Sequence, residues 1–223
     1  MHVLKRISIA IVALVGGQFL SASAIAASSS YFLNLSNESG AFPDGTPYLQ
    51  VDISDGTGGN IDFSVMTLPA LSQYADSNYG IQAFSFNFGD SGATSGNLVL
   101  PDSWSVKNGN SSHSIFGKFD ATIKGTGSSR KDPLKFSITG VDGDTPDDYA
   151  SLLSIGGESV LFAAHVAGFL VSIDGDEFSR QITSAQFGGS GVVPLPASAW
   201  LMLSALSACG AWARRRRSQI SST

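Results

Sequence analysis

Cysteine is almost absent: the one copy, Cys209, excludes an intrachain disulfide and any cysteine-built metal site. Charge is scarce as well, at 14% of 223 residues, well under the roughly 25% of an ordinary soluble domain. Basic groups are fewer than acidic ones, 13 against 18, for a net charge of −5. A nucleic-acid partner is therefore not expected, because lysine and arginine on phosphates supply most of that affinity. What is abundant is apolar surface, 43% of residues, with 25 glycines and 14 phenylalanines. That much apolar surface excludes a disordered acidic tail.

The few basic residues are unevenly placed. Residues 1–26 run from Lys5 and Arg6 through an apolar stretch, 7–20, to the small-residue sequences Ala22-Ser23-Ala24 and Ala24-Ile25-Ala26. This is the three-part pattern of a secretory signal peptide, with cleavage expected after Ala26. Its apolar core is shorter than the about 20 residues a spanning helix needs, which favours a removed leader over a retained anchor. Residues 195–213, by contrast, hold no charge and as a helix would rise about 28 Å, close to the ~30 Å of a bilayer core. Trp200 and Trp212 stand near the two ends of that run, where amphipathic rings favour the membrane interface. Arg214, Arg215, Arg216 and Arg217 follow directly. Four guanidinium groups are costly to translocate. They are expected to act as a stop-transfer signal, stay cytoplasmic with residues 218–223, and leave the preceding domain outside the inner membrane.

The sequence Val193-Pro194-Leu195-Pro196-Ala197, followed by the apolar run and the arginine cluster, resembles the PEP-CTERM sorting signal. Leu195 stands where the eponymous motif has glutamate, and the Val-Pro-Leu-Pro form is a variant of that tail. The resemblance covers residues 193–223, of which 193–217 hold the motif, the helix and the arginines. It implies a partner, an exosortase of the inner membrane, and a destination at the cell surface or in the biofilm matrix of an exopolysaccharide-producing Gram-negative bacterium. Looser likenesses to other such proteins lie in Pro43-Asp44-Gly45-Thr46-Pro47-Tyr48, in residues 127–134, and in Phe162-Ala163-Ala164-His165-Val166; they imply no activity. Physically, Pro194 and Pro196 bias the chain toward extended geometry just outside the apolar run.

Between these ends, residues 27–193 carry 7 basic against 18 acidic groups, a net −11. The length suits one domain with a substantial core. Period-two alternation dominates: Leu49, Val51 and Ile53; Ile61, Phe63 and Val65; Phe84, Phe86 and Phe88; Leu134, Phe136 and Ile138, each set interleaved with polar residues. Further strands are predicted near 31–35, 97–100, 116–123, 160–173 and 182–187. Turns are predicted at 55–60, Asn108-Gly109-Asn110, Gly125-Thr126-Gly127 and Asp174-Gly175-Asp176. The fold class is therefore all-β: a single antiparallel sandwich, jelly-roll-like, over 27–187. One short helix is predicted at 146–153, with Asp147 and Asp148 at its positive end. Residues 188–192, rich in Gly and Ser, read as a linker.

Candidate chemistry is thin. Gly89-Asp90-Ser91-Gly92 matches the nucleophile loop of chymotrypsin-like proteases, and Ala163-Ala164-His165 their histidine segment. The serine precedes the histidine here, against the order such a protease needs, and Val166 stands where its disulfide cysteine would be. We read 89–92 as a turn and His165 as a core histidine hydrogen-bonded across strands. Asp142, Asp144, Asp147 and Asp148 form a cluster of oxygen ligands suited to calcium, weighed against turn-forming aspartates; the second reading is preferred, and no cofactor is expected. Trp104, Tyr74 and Tyr79 are candidates for stacking on sugar rings, with an edge-of-core role for Trp104 at least as strong. The resulting expectation is a non-enzymatic exported protein, with a carbohydrate-binding module for extracellular polysaccharide as the alternative.

Overall fold

The structure, a computed structural model, describes residues 27–112, 116–152, 160–173 and 180–189. The leader, the sorting tail and the turn predicted at Asp174-Gly175-Asp176 lie outside the described residues. Two antiparallel sheets make up the domain. One has five strands: β1 (Ser28–Leu33), β3 (Leu49–Asp55), β4 (Ile61–Thr67), β9 (Leu134–Ile138) and the short β6 (Leu98–Val99), in the order β1-β3-β4-β9-β6. The other has six: β2 (Leu35–Ser36), β11 (Arg180–Gly188), β10 (Ala163–Ile173), β5 (Ala75–Phe86), β8 (Lys118–Gly125) and β7 (Trp104–Ser112), in the order β2-β11-β10-β5-β8-β7.

The alternation read from the sequence becomes the core. In β3 the residues Leu49, Val51 and Ile53 are fully buried while Gln50, Asp52 and Ser54 are not. The same pattern holds in β4 and β9. Val51 is in register with Val65 and Ile53 with Phe63, and Phe63 with Phe136, so successive strands present one apolar face. The second sheet closes over it. Phe63 and Phe136 stack at 4.6 Å, and both meet Phe86 across the gap at 5.3 and 5.5 Å; Phe84 continues the row to Phe162 at 5.8 Å. Each such ring contributes about 2–3 kcal/mol by removal from water, with a further increment from ring geometry. Between β3 and β4 the predicted turn forms, with Gly58 and Gly59 both at positive φ.

Several expectations are corrected. The alternation through 84–88 does not leave a polar outer face: Ser85 and Asn87 are fully buried beside Phe84 and Phe86. A second apolar cluster, Phe116, Phe119, Val160 and Ala163, accounts for this. Ala163 is the register partner of Ser85, so that end of the outer face is covered. The buried polar groups are satisfied, Ser85 Oγ with Thr122 Oγ1 at 2.7 Å and Asn87 Nδ2 donating to the Ser151 carbonyl at 3.0 Å. Asn108-Gly109-Asn110 is no reversal but lies inside β7, where the register against β8 shifts between Asn108 and Ser111. A bulge has the same composition as a turn, because both need residues tolerant of irregular φ and ψ. The helix at 146–153 is only a 3-10 turn, Pro146–Tyr149, with Asp147 and Asp148 in its first turn. One turn of α-helix, α1 (Pro69–Ser72), was not predicted.

The last strand runs through Gly188, and Gly189 is held on both sides. Its N–H donates to the Phe162 carbonyl at 3.0 Å and its carbonyl accepts from Leu161 N–H at 3.0 Å. At the other end, Ala27 donates to Asp55 Oδ2 at 2.8 Å, and its carbonyl accepts from Asp55 N–H at 3.0 Å.

Candidate functional site

The three aromatic candidates do not form a platform. Trp104 is only 8% exposed and joins the main core, its ring against Gly125 and its Nε1 donating to the Ser129 carbonyl at 2.8 Å. Tyr79 packs against the same core. Its hydroxyl is buried near Thr67 and Asp132 without hydrogen-bond geometry to either, and burial pushes its pKa up to about 12. Tyr74 alone is exposed, at 38%, edge-on to Phe42 at 6.1 Å. Sugar stacking on Trp104 is thus precluded in this fold, since an indole buried on the core side offers no face to a ligand.

The aspartate cluster is dispersed among separate partners. Asp144 Oδ2 accepts from the Tyr149 hydroxyl at 2.5 Å. Asp147 Oδ1 accepts from the Ser29 hydroxyl at 2.7 Å. Asp148 Oδ2 accepts from both the N–H and the hydroxyl of Thr145, at 2.7 and 2.9 Å, capping the 3-10 turn. Asp142 is exposed. Among the described residues no group of three or more His, Cys, Asp or Glu side chains converges as a metal site. Turn-forming chemistry accounts for the cluster, as P-D-D-type sequences provide acceptors for nearby backbone N–H groups.

Ser91 is likewise engaged: its hydroxyl donates to the Phe88 carbonyl at 2.6 Å and accepts from Ala93 N–H at 3.1 Å, closing the turn at 89–92. His165 is not a core residue. Its neighbours Ala164 and Val166 belong to the core cluster, so the alternation of β10 turns the imidazole outward, where it is half-buried. There it shares a cleft of about 300 Å³ with Arg130, Gln82, Thr183, Ser184 and, at the exposed rim, Asp76 and Ser77.

The cleft is built by an irregular crossing of β5 and β10. The pairing register slips between His165 and Val166 and again between Ala167 and Phe169, and β10 slips against β11 between Ala167 and Val171. Gly168, at φ +83°, makes this crossing: a Cβ there would sit 2.5 Å from the Asn78 carbonyl oxygen. Asn78 itself has φ +55°. Its carbonyl accepts from Arg130 Nη1 at 2.9 Å, and its side-chain amide donates to the Gly127 carbonyl. Arg130 Nε donates to Gln82 Oε1 at 3.2 Å, and Lys131 is bridged to Ile81 by two backbone hydrogen bonds. Irregular pairing of this kind bends a strand and re-aims its side chains.

Two of the segments singled out in the sequence, 127–134 and 162–166, thus meet here. Sequence reasoning missed Arg130 as a site residue, as well as Asn78 and Gly168. A usable signal existed in Gly168, an isolated glycine inside a strand pattern, which marks a bulge or a close backbone approach. His165 is in register with Gln186 and Ala83, and Ala83 with Lys124. Burial first, then the Arg130 and Lys124 charges, hold the His165 pKa below its usual value, so the ring is neutral at pH 7.

No family model, no curated protein and no solved structure matches the chain. Among the described residues no helix is long and apolar enough to cross a membrane; residues 195–213 lie outside them.

Proposed function

We propose that the chain is an exported, non-enzymatic surface or matrix protein: a jelly-roll-like ectodomain held by a C-terminal transmembrane helix until an exosortase processes the tail. The observation that carries this is the order of three features within 193–217: the proline-flanked Val193-Pro194-Leu195-Pro196-Ala197, an uncharged run of bilayer length, and four consecutive arginines. A 1–26 leader of secretory pattern supports the same route. Ordered hydrogen bonding of the sandwich reaches Gly189, which stands four positions before Val193 in the sequence. Such spacing suits an enzyme that works at the membrane surface on an extended segment. A non-catalytic role is supported by Ser91, whose hydroxyl is committed to its own turn.

The test is intact-mass analysis of the protein recovered from the cell surface of the native host. The expected product begins at residue 27 and lacks the apolar run and Arg214 to Arg217. Recovery of surface molecules that all end at Thr223 would refute the processing step.

A further inference from the structure

The cleft between Arg130 and His165 holds an uncompensated cation in a domain dominated by acid. Among the described residues the one ion pair is Arg180 with Glu38, at 2.6 Å. Arg130 has only neutral oxygens for partners, the Asn78 carbonyl and Gln82 Oε1. Those two bonds use Nη1 and Nε and fix the plane of the guanidinium, leaving Nη2 without a hydrogen-bond partner among the described residues. An arginine with its fork oriented and no counter-ion is prepared for a planar oxyanion. Lys124, in the same cross-strand row as His165, adds to the local positive field.

The rest of the lining selects among anions. Thr183, Ser184 and Ser77 bring hydroxyls and Gln82 an amide, groups that exchange hydrogen bonds with alcohols. His165, neutral at pH 7, is a further donor or acceptor rather than a second cation. Asp76 at the rim repels a second negative charge placed close to the first. A densely charged polyanion is therefore disfavoured, and a ligand with isolated carboxylates separated by neutral, hydroxyl-bearing stretches is favoured. The cleft volume suits about one sugar ring.

We infer that this cleft on the outer face of the six-stranded sheet is a binding site for uronic-acid residues of a polysaccharide, with Arg130 taking the carboxylate and Gln82, His165, Thr183 and Ser184 the ring hydroxyls. This stands apart from the sorting route: the site would bind its ligand whether or not the tail is processed. It also replaces aromatic stacking, which the burial of Trp104 precludes, with charge and hydroxyl recognition.

The experiment is calorimetric titration of the full chain in neutral detergent with a hyaluronan tetrasaccharide, whose uronates alternate with neutral sugars. Chitotetraose, hexa-aspartate and inorganic phosphate serve as separate titrants. Saturable binding of the hyaluronan fragment alone is expected, weakened roughly tenfold or more by Arg130→Gln, because a hydrogen-bonded charge is lost. Thr183 is exposed, so Thr183→Asp places a carboxylate at the mouth of the cleft and, in a variant whose melting temperature shows that it folds, should abolish binding. Absence of saturable binding, or equal affinity for chitotetraose, hexa-aspartate or phosphate, would overturn the assignment. So would wild-type affinity in a folded Arg130→Gln. If Arg130→Gln does not fold, Thr183→Asp decides: binding that survives it refutes the site.

Discussion

The indole of Trp104 and the carbonyl of Ser129 are joined at 2.8 Å, tying the edge strand β7 to the loop that carries Arg130. Of the two roles the sequence left open for Trp104, sugar stacking or the edge of the core, the fold realises the second. Trp104→Ala should destabilise the domain by about 3–5 kcal/mol, the usual cost of emptying an aromatic core site. Trp104→Phe keeps most of the packing and leaves the Ser129 carbonyl unpaired, for a loss of about 1–2 kcal/mol. Urea denaturation of the two variants measures both. Equal and negligible losses would mean that the ring contributes nothing to the fold.

The glycine at the β5–β10 crossing makes a sharper test. Gly168→Ala forces a Cβ onto the Asn78 backbone as well as a positive φ onto alanine. It should cost clearly more than the about 1 kcal/mol typical of positive φ alone. Gly58→Ala is the control, since Gly58 has φ +75° but open space around it. A melting-temperature drop at 168 no larger than at 58 would show that the close approach is not a constraint.

The depressed pKa of His165 ties stability to pH. The folded state takes up the proton less readily than the unfolded chain, whose histidine titrates near 6.5, so more protons bind on unfolding. The resulting contribution is intact above about pH 6.5 and is lost as pH falls through the folded-state value. Positive charge on the ring would face Arg130 and Lys124, with Asp76 at the cleft rim as the opposing acid. Melting temperature followed from pH 7.5 to 5 should fall more for the wild type than for His165→Gln. Parallel curves would rule out the linkage.

Much of the architecture was legible because one sheet follows its binary pattern. Leu49, Val51 and Ile53 in β3 and Leu134, Phe136 and Ile138 in β9 each alternate apolar with polar, and half-buried strands require that. Polar strands were harder to read. Trp104–Ser112 contains Asn108, Gly109 and Asn110, and Ala75–Gly80 is mostly small and polar; both pair because neighbouring strands supply hydrogen-bond partners, which local composition does not report. Ser85 and Asn87 broke the rule for a similar reason, being buried by a second cluster brought from residues far along the chain.

Local order along the chain sufficed for the strand periods, the acidic balance of 27–193 and the tripartite pattern of 193–217, since each depends on neighbouring residues only. Folding alone decided that Trp104 is enclosed, that three neighbouring aspartates serve three different donors, and that Arg130 and His165 face one cleft. Those outcomes depend on strand register and on where bulges slip it. A one-residue slip turns a side chain to the opposite face, and the partners that set it lie on distant segments.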